Sequence, residues 1–160
     1  MKNKRNLGNS GLEVAPLAFG CNVFGWTVDE HDAYKLLDEF VASGFNLIDT
    51  ADIYGKRGPQ HQGGLSESII GNWLQGSKNR SKVIIATKVG MEIGPEKKGL
   101  SKIYILQAVG ESRFIGKGAR LLYKKCRPQN VLGIGLESPR ASPRLSVMRF
   151  IEWSVPAFSE

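Results

Sequence analysis

The chain is poor in the residues that build disulfide frameworks and metal sites. It has two cysteines, Cys21 and Cys126, and two histidines, His31 and His61. The cysteines lie far apart and form no C-x-x-C pair, which argues against both a disulfide framework and a zinc site. The histidines have no ligand-like spacing with them, so no metal is expected. No apolar run approaches the ~20 residues that a membrane-spanning helix needs. The basic start, MKNKRNLGNS, has no apolar stretch behind it. No signal peptide is therefore expected, and the cytoplasm is the expected compartment. Acid is scarce towards the other end. From Gly110 to Glu160 there is no Asp, Thr or His, and nine Lys/Arg stand against four Asp/Glu. That segment carries +5 of the net +7 charge and includes ESPRASPRLS and SVPAFSE. The shift in composition divides the chain into residues 1–109 and a basic tail, 110–160, expected to be irregular and partly disordered.

What is present is an ordinary globular composition, with 41% apolar and 23% charged residues in 160. This is enough for one domain with a core. NLGNSGLEVAP (6–16) predicts a short hairpin turning at NSG, where Asn9 and Gly11 tolerate positive φ. PLAFG (16–20) reads as a compact strand. In TVDEHDAYKLLDEFVASG, Thr27 with Glu30 three residues on predicts a capping box. Ala33, Leu36, Leu37, Phe40 and Val41 then recur at helical spacing, and Gly44 ends the helix. FNLID predicts a second strand, and LSESIIGNWLQG a helix with Leu65, Ile69, Ile70, Trp73 and Leu74 on its apolar face. SKVIIATKVG predicts a third strand and LSKIYILQAV a third helix, N-capped by Ser101. Strands alternating with helices at intervals of roughly 30–40 residues predict a parallel sheet with right-handed crossovers. NVLGIGLE (130–137) is a candidate fourth strand weakened by its glycines.

In such an array, functional groups gather at the C-terminal ends of the strands. These ends fall near Gly20-Cys21, Asp49 and Lys88, and Tyr54 follows Asp49 in the next loop. A carboxylate, a phenol and an ammonium can therefore share one rim. An ammonium beside a phenol favours the phenolate, and a carboxylate beside the ammonium holds it charged and in place. The set suits Tyr54 to act as a general acid towards a carbonyl oxygen.

The stretches LGNSGLEVAPLAFG, GFNLIDTADIYG, LSESIIGNWL and VIIATKVG resemble the N-terminal half of the aldo-keto reductases, over roughly residues 6–109. The resemblance implies part of a (β/α)8 TIM barrel that reduces aldehydes and ketones with NADPH, with the hairpin capping the barrel's bottom. It assigns catalytic roles to Asp49, Lys88 and Tyr54: Asp49 orients Lys88, Lys88 tunes the phenol, and Tyr54 gives up the proton. Gly20, Cys21 and Asp49 fall where the family meets its cofactor, and Phe24 and Trp26 match the aromatic lining of its substrate pocket. The family's fourth catalytic residue, a histidine, is expected roughly one βα unit after Lys88. GARLLYKKCRP stands there instead, and no histidine follows His61. A full barrel takes roughly 250 residues, and the family's phosphate-holding loops come late in it.

Three readings follow. One is a carbonyl reductase present as a truncated form with weak or no activity. Another is a non-catalytic, degenerate fragment that self-associates through an open sheet edge. A third is a basic module that binds polyanions through Arg113, Lys117, Arg120, Lys124, Lys125 and Arg127. Sparse aromatic interleaving, Phe114 and Tyr123, argues against nucleic acid.

Overall fold

The structure, a computed structural model, describes residues 3–55 and 63–112 and the backbone of three strands between 121 and 149. The N-terminal hairpin forms as β1 (Arg5–Asn6) against β2 (Glu13–Val14), antiparallel. Its turn places the positive φ angles at Gly8 and Gly11, so Asn9 does not take the role its sequence position suggested. Ser10 Oγ donates to the Leu7 carbonyl at 2.6 Å and closes the loop. The hairpin is fastened below the sheet by Asn46, just ahead of β4 (Leu47–Asp49). Its Oδ1 accepts from Ala15 N and its Nδ2 donates to the Glu13 carbonyl, both at 2.9 Å.

Helix α1 (Glu30–Ala42) begins two residues later than a Thr27 cap would place it. Thr27 and Trp26 are consumed in a turn, their amides donating to the Val23 carbonyl. Asp29 is the N-cap, and its carboxylate accepts from Asp32 N at 2.9 Å. At the other end Gly44 takes φ +84°, and the Gly44 and Phe45 amides return to the Val41 and Phe40 carbonyls, as the sequence leads one to expect. Helix α3 (Lys102–Glu111) has the expected Ser101 cap, whose hydroxyl accepts from Tyr104 N at 3.1 Å.

Strands β3 (Ala18–Gly20), β4, β5 (Ile84–Lys88) and β6 (Leu121–Arg127) pair in parallel, in that order. The fourth parallel strand is thus LLYKKCR, not NVLGIGLE. The latter forms β7 (Asn130–Leu136), antiparallel to β6, and β8 (Ser146–Arg149) pairs antiparallel with β7. The reason is length: a two-residue link can close only an antiparallel pair, whereas a parallel strand needs a crossover of a dozen residues or more. Of the basic tail, 110–160, the structure describes the end of α3 and the backbone of β6, β7 and β8, and the rest of the expected irregular segment lies outside the described residues. Among the described residues the sheet is open, with β3 and β8 at its edges, and no barrel is closed.

Strand alternation divides the sheet into two faces. Ile48, Thr50, Val83, Ile85 and Thr87 are buried on the side of the core that also holds Ala33, Leu37 and Phe40 of α1, Ile69, Ile70 and Trp73 of α2 (Leu65–Gly76), and Tyr104 and Ala108 of α3. Each fully buried aliphatic side chain there contributes about 1.5–3 kcal/mol. Trp73 Nε1 donates to Asp38 Oδ1 at 2.9 Å, a polar tie between α2 and α1. Leu47, Asp49, Ile84, Ala86 and Lys88 alternate onto the opposite face and are only partly covered. Among the described residues no helix is long and apolar enough to cross a membrane.

Candidate active site

The site is built on the second face, at the C-terminal ends of the parallel strands. Register sets Gly20 beside Asp49 and Asp49 beside Ala86, with Lys88 two residues further along β5. The ladder continues past the strand ends: Cys21 N donates to the Asp49 carbonyl at 2.9 Å, Thr50 N to Ala86 at 2.8 Å, and Asp52 N to Lys88 at 3.0 Å. Beyond Asp52 the chain turns back through Tyr54 N to the Ala51 carbonyl, 3.1 Å. This return brings the phenol ring over the end of β5.

Lys88 Nζ lies at the centre of the arrangement. It donates to Asp49 Oδ2 and to the Thr50 carbonyl, both at 2.7 Å. It also sits over the Tyr54 ring, 4.7 Å from the centroid. The lysine side chain is only 16% exposed and the aspartate 38%. A charge-assisted bond of this kind is short and strong, and the ring face adds a favourable cation–π contact. The ammonium is thus fixed by three partners rather than left to solvent. Gly20 leaves the surface beside Asp49 open: a Cβ there would meet nothing nearer than Asn22 Oδ1 at 3.9 Å.

Other residues named from the sequence are placed differently. Cys21 turns to the buried face and is fully enclosed. Burial, with Asp49 nearby, pushes its thiol well above the usual cysteine range, and its backbone is spent on internal bonds, N to the Asp49 carbonyl and O from Ser66 Oγ. Phe24 is a core residue, not a pocket lining: it is fully buried with its ring 5.8 Å from Phe19. The turn of residues 21–28 folds it inward, with Phe24 N bonded to Cys21 and Gly25 N to Val28. Trp26, on the same turn, is 57% exposed at the rim. His31 is exposed on α1, and His61 lies outside the described residues. The side chains of the basic segment from Arg113 to Arg127 also lie outside them. The described residues that could group around a metal, Asp29, His31 and Asp32, are exposed. Its acids are engaged in capping and in a 3.1 Å pair with Lys35.

Sequence reading missed the polar residues behind the site. Asp52, left without a role, is buried, and its Oδ2 accepts from Tyr104 Oη at 2.7 Å. Burial pushes its carboxyl up, against the pull of that bond. Ser66 and Glu67 are buried on the first turn of α2, while Leu65, assigned to the apolar face, is 38% exposed. A signal was available: Ser66 lies four residues before Ile70 and Glu67 four before Gly71, both on the buried stripe.

The sequence pattern described as "Aldo/keto reductase family" matches residues 16–117. An uncharacterised 11.2 kDa protein from Pseudescherichia vulneris is 48% identical over 90 residues, 56% of this chain and 87% of that protein. The uncharacterised oxidoreductase YrpG of Bacillus subtilis is 45% identical over 84 residues, 52% of this chain but 25% of its own length. A solved structure described as an aldo-keto reductase, from Pseudomonas aeruginosa, superposes with a TM-score of 0.62 at 28% identity. The match covers 78% of this chain and 48% of that one, so the chain spans about half of that structure and a quarter of YrpG.

Proposed function

Because the chain belongs to the aldo/keto reductase family, we propose that it carries the proton-donating part of an NADPH-dependent reductase of aldehydes and ketones, acting in the cytoplasm. The observation that carries this reading is Lys88, held between the Asp49 carboxylate and the face of Tyr54. When bound, NADPH supplies a hydride to the carbonyl carbon. Tyr54 donates its hydroxyl proton to the carbonyl oxygen, and the Lys88 ammonium stabilises the phenolate left behind. Asp49 and the Thr50 carbonyl keep Lys88 aimed. Gly20 and Asp49 offer an open strand-end surface that would take a flat nicotinamide, while Cys21, the third residue the resemblance placed there, is enclosed beneath it. Trp26, 57% exposed on the turn that follows β3, is the residue of the expected aromatic lining that a small carbonyl substrate would meet, Phe24 being buried.

Turnover is expected to be weak. No histidine follows His61, so the donor that would orient the carbonyl is missing from its family position. The experiment is NADPH oxidation with a reactive aldehyde, comparing the chain with Tyr54→Phe. A slow rate that the substitution abolishes is expected. A robust rate indifferent to Tyr54→Phe would overturn the assignment.

A further inference from the structure

Two adjacent side chains on the first turn of α2 reach the ends of three strands. Ser66 Oγ donates to the Cys21 carbonyl at 2.9 Å, just past β3, and lies 3.0 Å from Thr50 Oγ1, just past β4. Glu67 Oε1 accepts from Thr87 Oγ1 within β5 and from Ser112 Oγ, 3.0 Å away at the end of α3. All of these groups are buried, Ser66 completely.

The anchored positions follow a pattern. Cys21 adjoins Gly20, Thr50 adjoins Asp49 and Thr87 adjoins Lys88. Each contact lies one residue away from a group on the open face: alternation turns the Thr50 and Thr87 side chains towards the helices, and at Cys21 the backbone carbonyl is the group held. Burying a carboxyl group and four hydroxyls costs desolvation that apolar residues would avoid. What directional bonds provide, and apolar packing does not, is a fixed position. We propose that Ser66 and Glu67 are positioning residues that set where Asp49 and Lys88 stand, Ser66 through Cys21 and Thr50, Glu67 through Thr87. The consequence for turnover rests on the reductase reading; the consequence for Lys88 geometry does not.

The test uses the full chain. Lysine modification under folded conditions, followed by mass spectrometry, compares Lys88 with the exposed Lys35. Asp49→Asn serves as the control that frees Lys88 directly. Glu67→Ala is expected to raise Lys88 modification several-fold with Lys35 unchanged, and Glu67→Gln, which keeps a carbonyl acceptor, to restore protection. Thr87→Val removes the hydroxyl from the other end at nearly constant volume and is expected to behave like Glu67→Ala, which covers the case in which the latter fails to fold. In turnover, a misplaced ammonium is expected to lower kcat by up to about 100-fold with KM little changed. Lys88 remaining protected in Thr87→Val while the denaturation midpoint falls would reduce the pair to a stabilising role and overturn the proposal. Turnover insensitive to Tyr54→Phe would overturn the reductase reading instead and leave the protection experiment intact.

Discussion

Glu67 combines a carboxyl with a place in the core, and this gives it a signature in pH. Burial pushes its value above the ordinary 4.5, more than the Thr87 and Ser112 bonds pull it down. The folded state therefore holds this proton more tightly than the unfolded chain does. The associated stability is present below the ordinary glutamate range and is lost as pH rises through the raised native value. The stability of the wild type relative to Glu67→Gln is thus expected to fall with rising pH across that window, read from urea denaturation at stepped pH. A flat difference would show that the native carboxyl is not raised. Leu65 gives a steric counterpart. Gly25 (φ +71°) and Gly55 (φ +83°) close around it, and a Cβ would come within 2.4 Å and 2.6 Å of its side chain. Gly25→Ala is expected to cost about 1–2 kcal/mol for the left-handed backbone alone, and more for displacing Leu65. In a Leu65→Ala background the steric part disappears and the backbone part stays, so denaturation of the double variant separates them.

At the scale of elements, the first turn of α1 distinguishes two cap assignments. The Asp29 carboxylate meets Asp32 N, so Asp29→Ala is expected to lower stability by about 1 kcal/mol. Thr27→Ala should change it much less. Equal losses in chemical denaturation would contradict the observed helix start. The same turn shows why sequence reading was partly right. Thr27 and Glu30 have capping-box spacing, but the amides of residues 26–28 close onto Val23, and nothing in a local pattern announces that. The strands β3 to β5 were legible because apolar residues fill or alternate along them, and Asp49, Tyr54 and Lys88 because strand ends mark where chemistry collects. Ser66, Glu67 and Asp52 were not legible, since their partners Cys21, Thr87 and Tyr104 are distant in sequence. β6 was hidden because paired lysines in LLYKKCR look solvated, and pairing with β5 is a non-local fact.

For the molecule as a whole, the sheet order ends at β3, whose Ala18 is exposed beside Leu17, itself 52% exposed. Among the described residues this edge has one neighbouring strand, and an open edge invites pairing. Sedimentation of the 160-residue chain is expected to show mass rising with concentration. Ala18→Lys, which puts a charge on the edge, should reduce it. A concentration-independent monomer would dispose of that expectation. The two-faced layout of β5 has a further implication for how such a protein can change. Inserting one amino acid between Ile84 and Thr87 would rotate every later side chain to the reverse side, pointing a hydroxyl at the phenol and driving an ammonium into oil. Viable length changes along this strand must therefore come in pairs, or be absorbed by a bulge before Lys88.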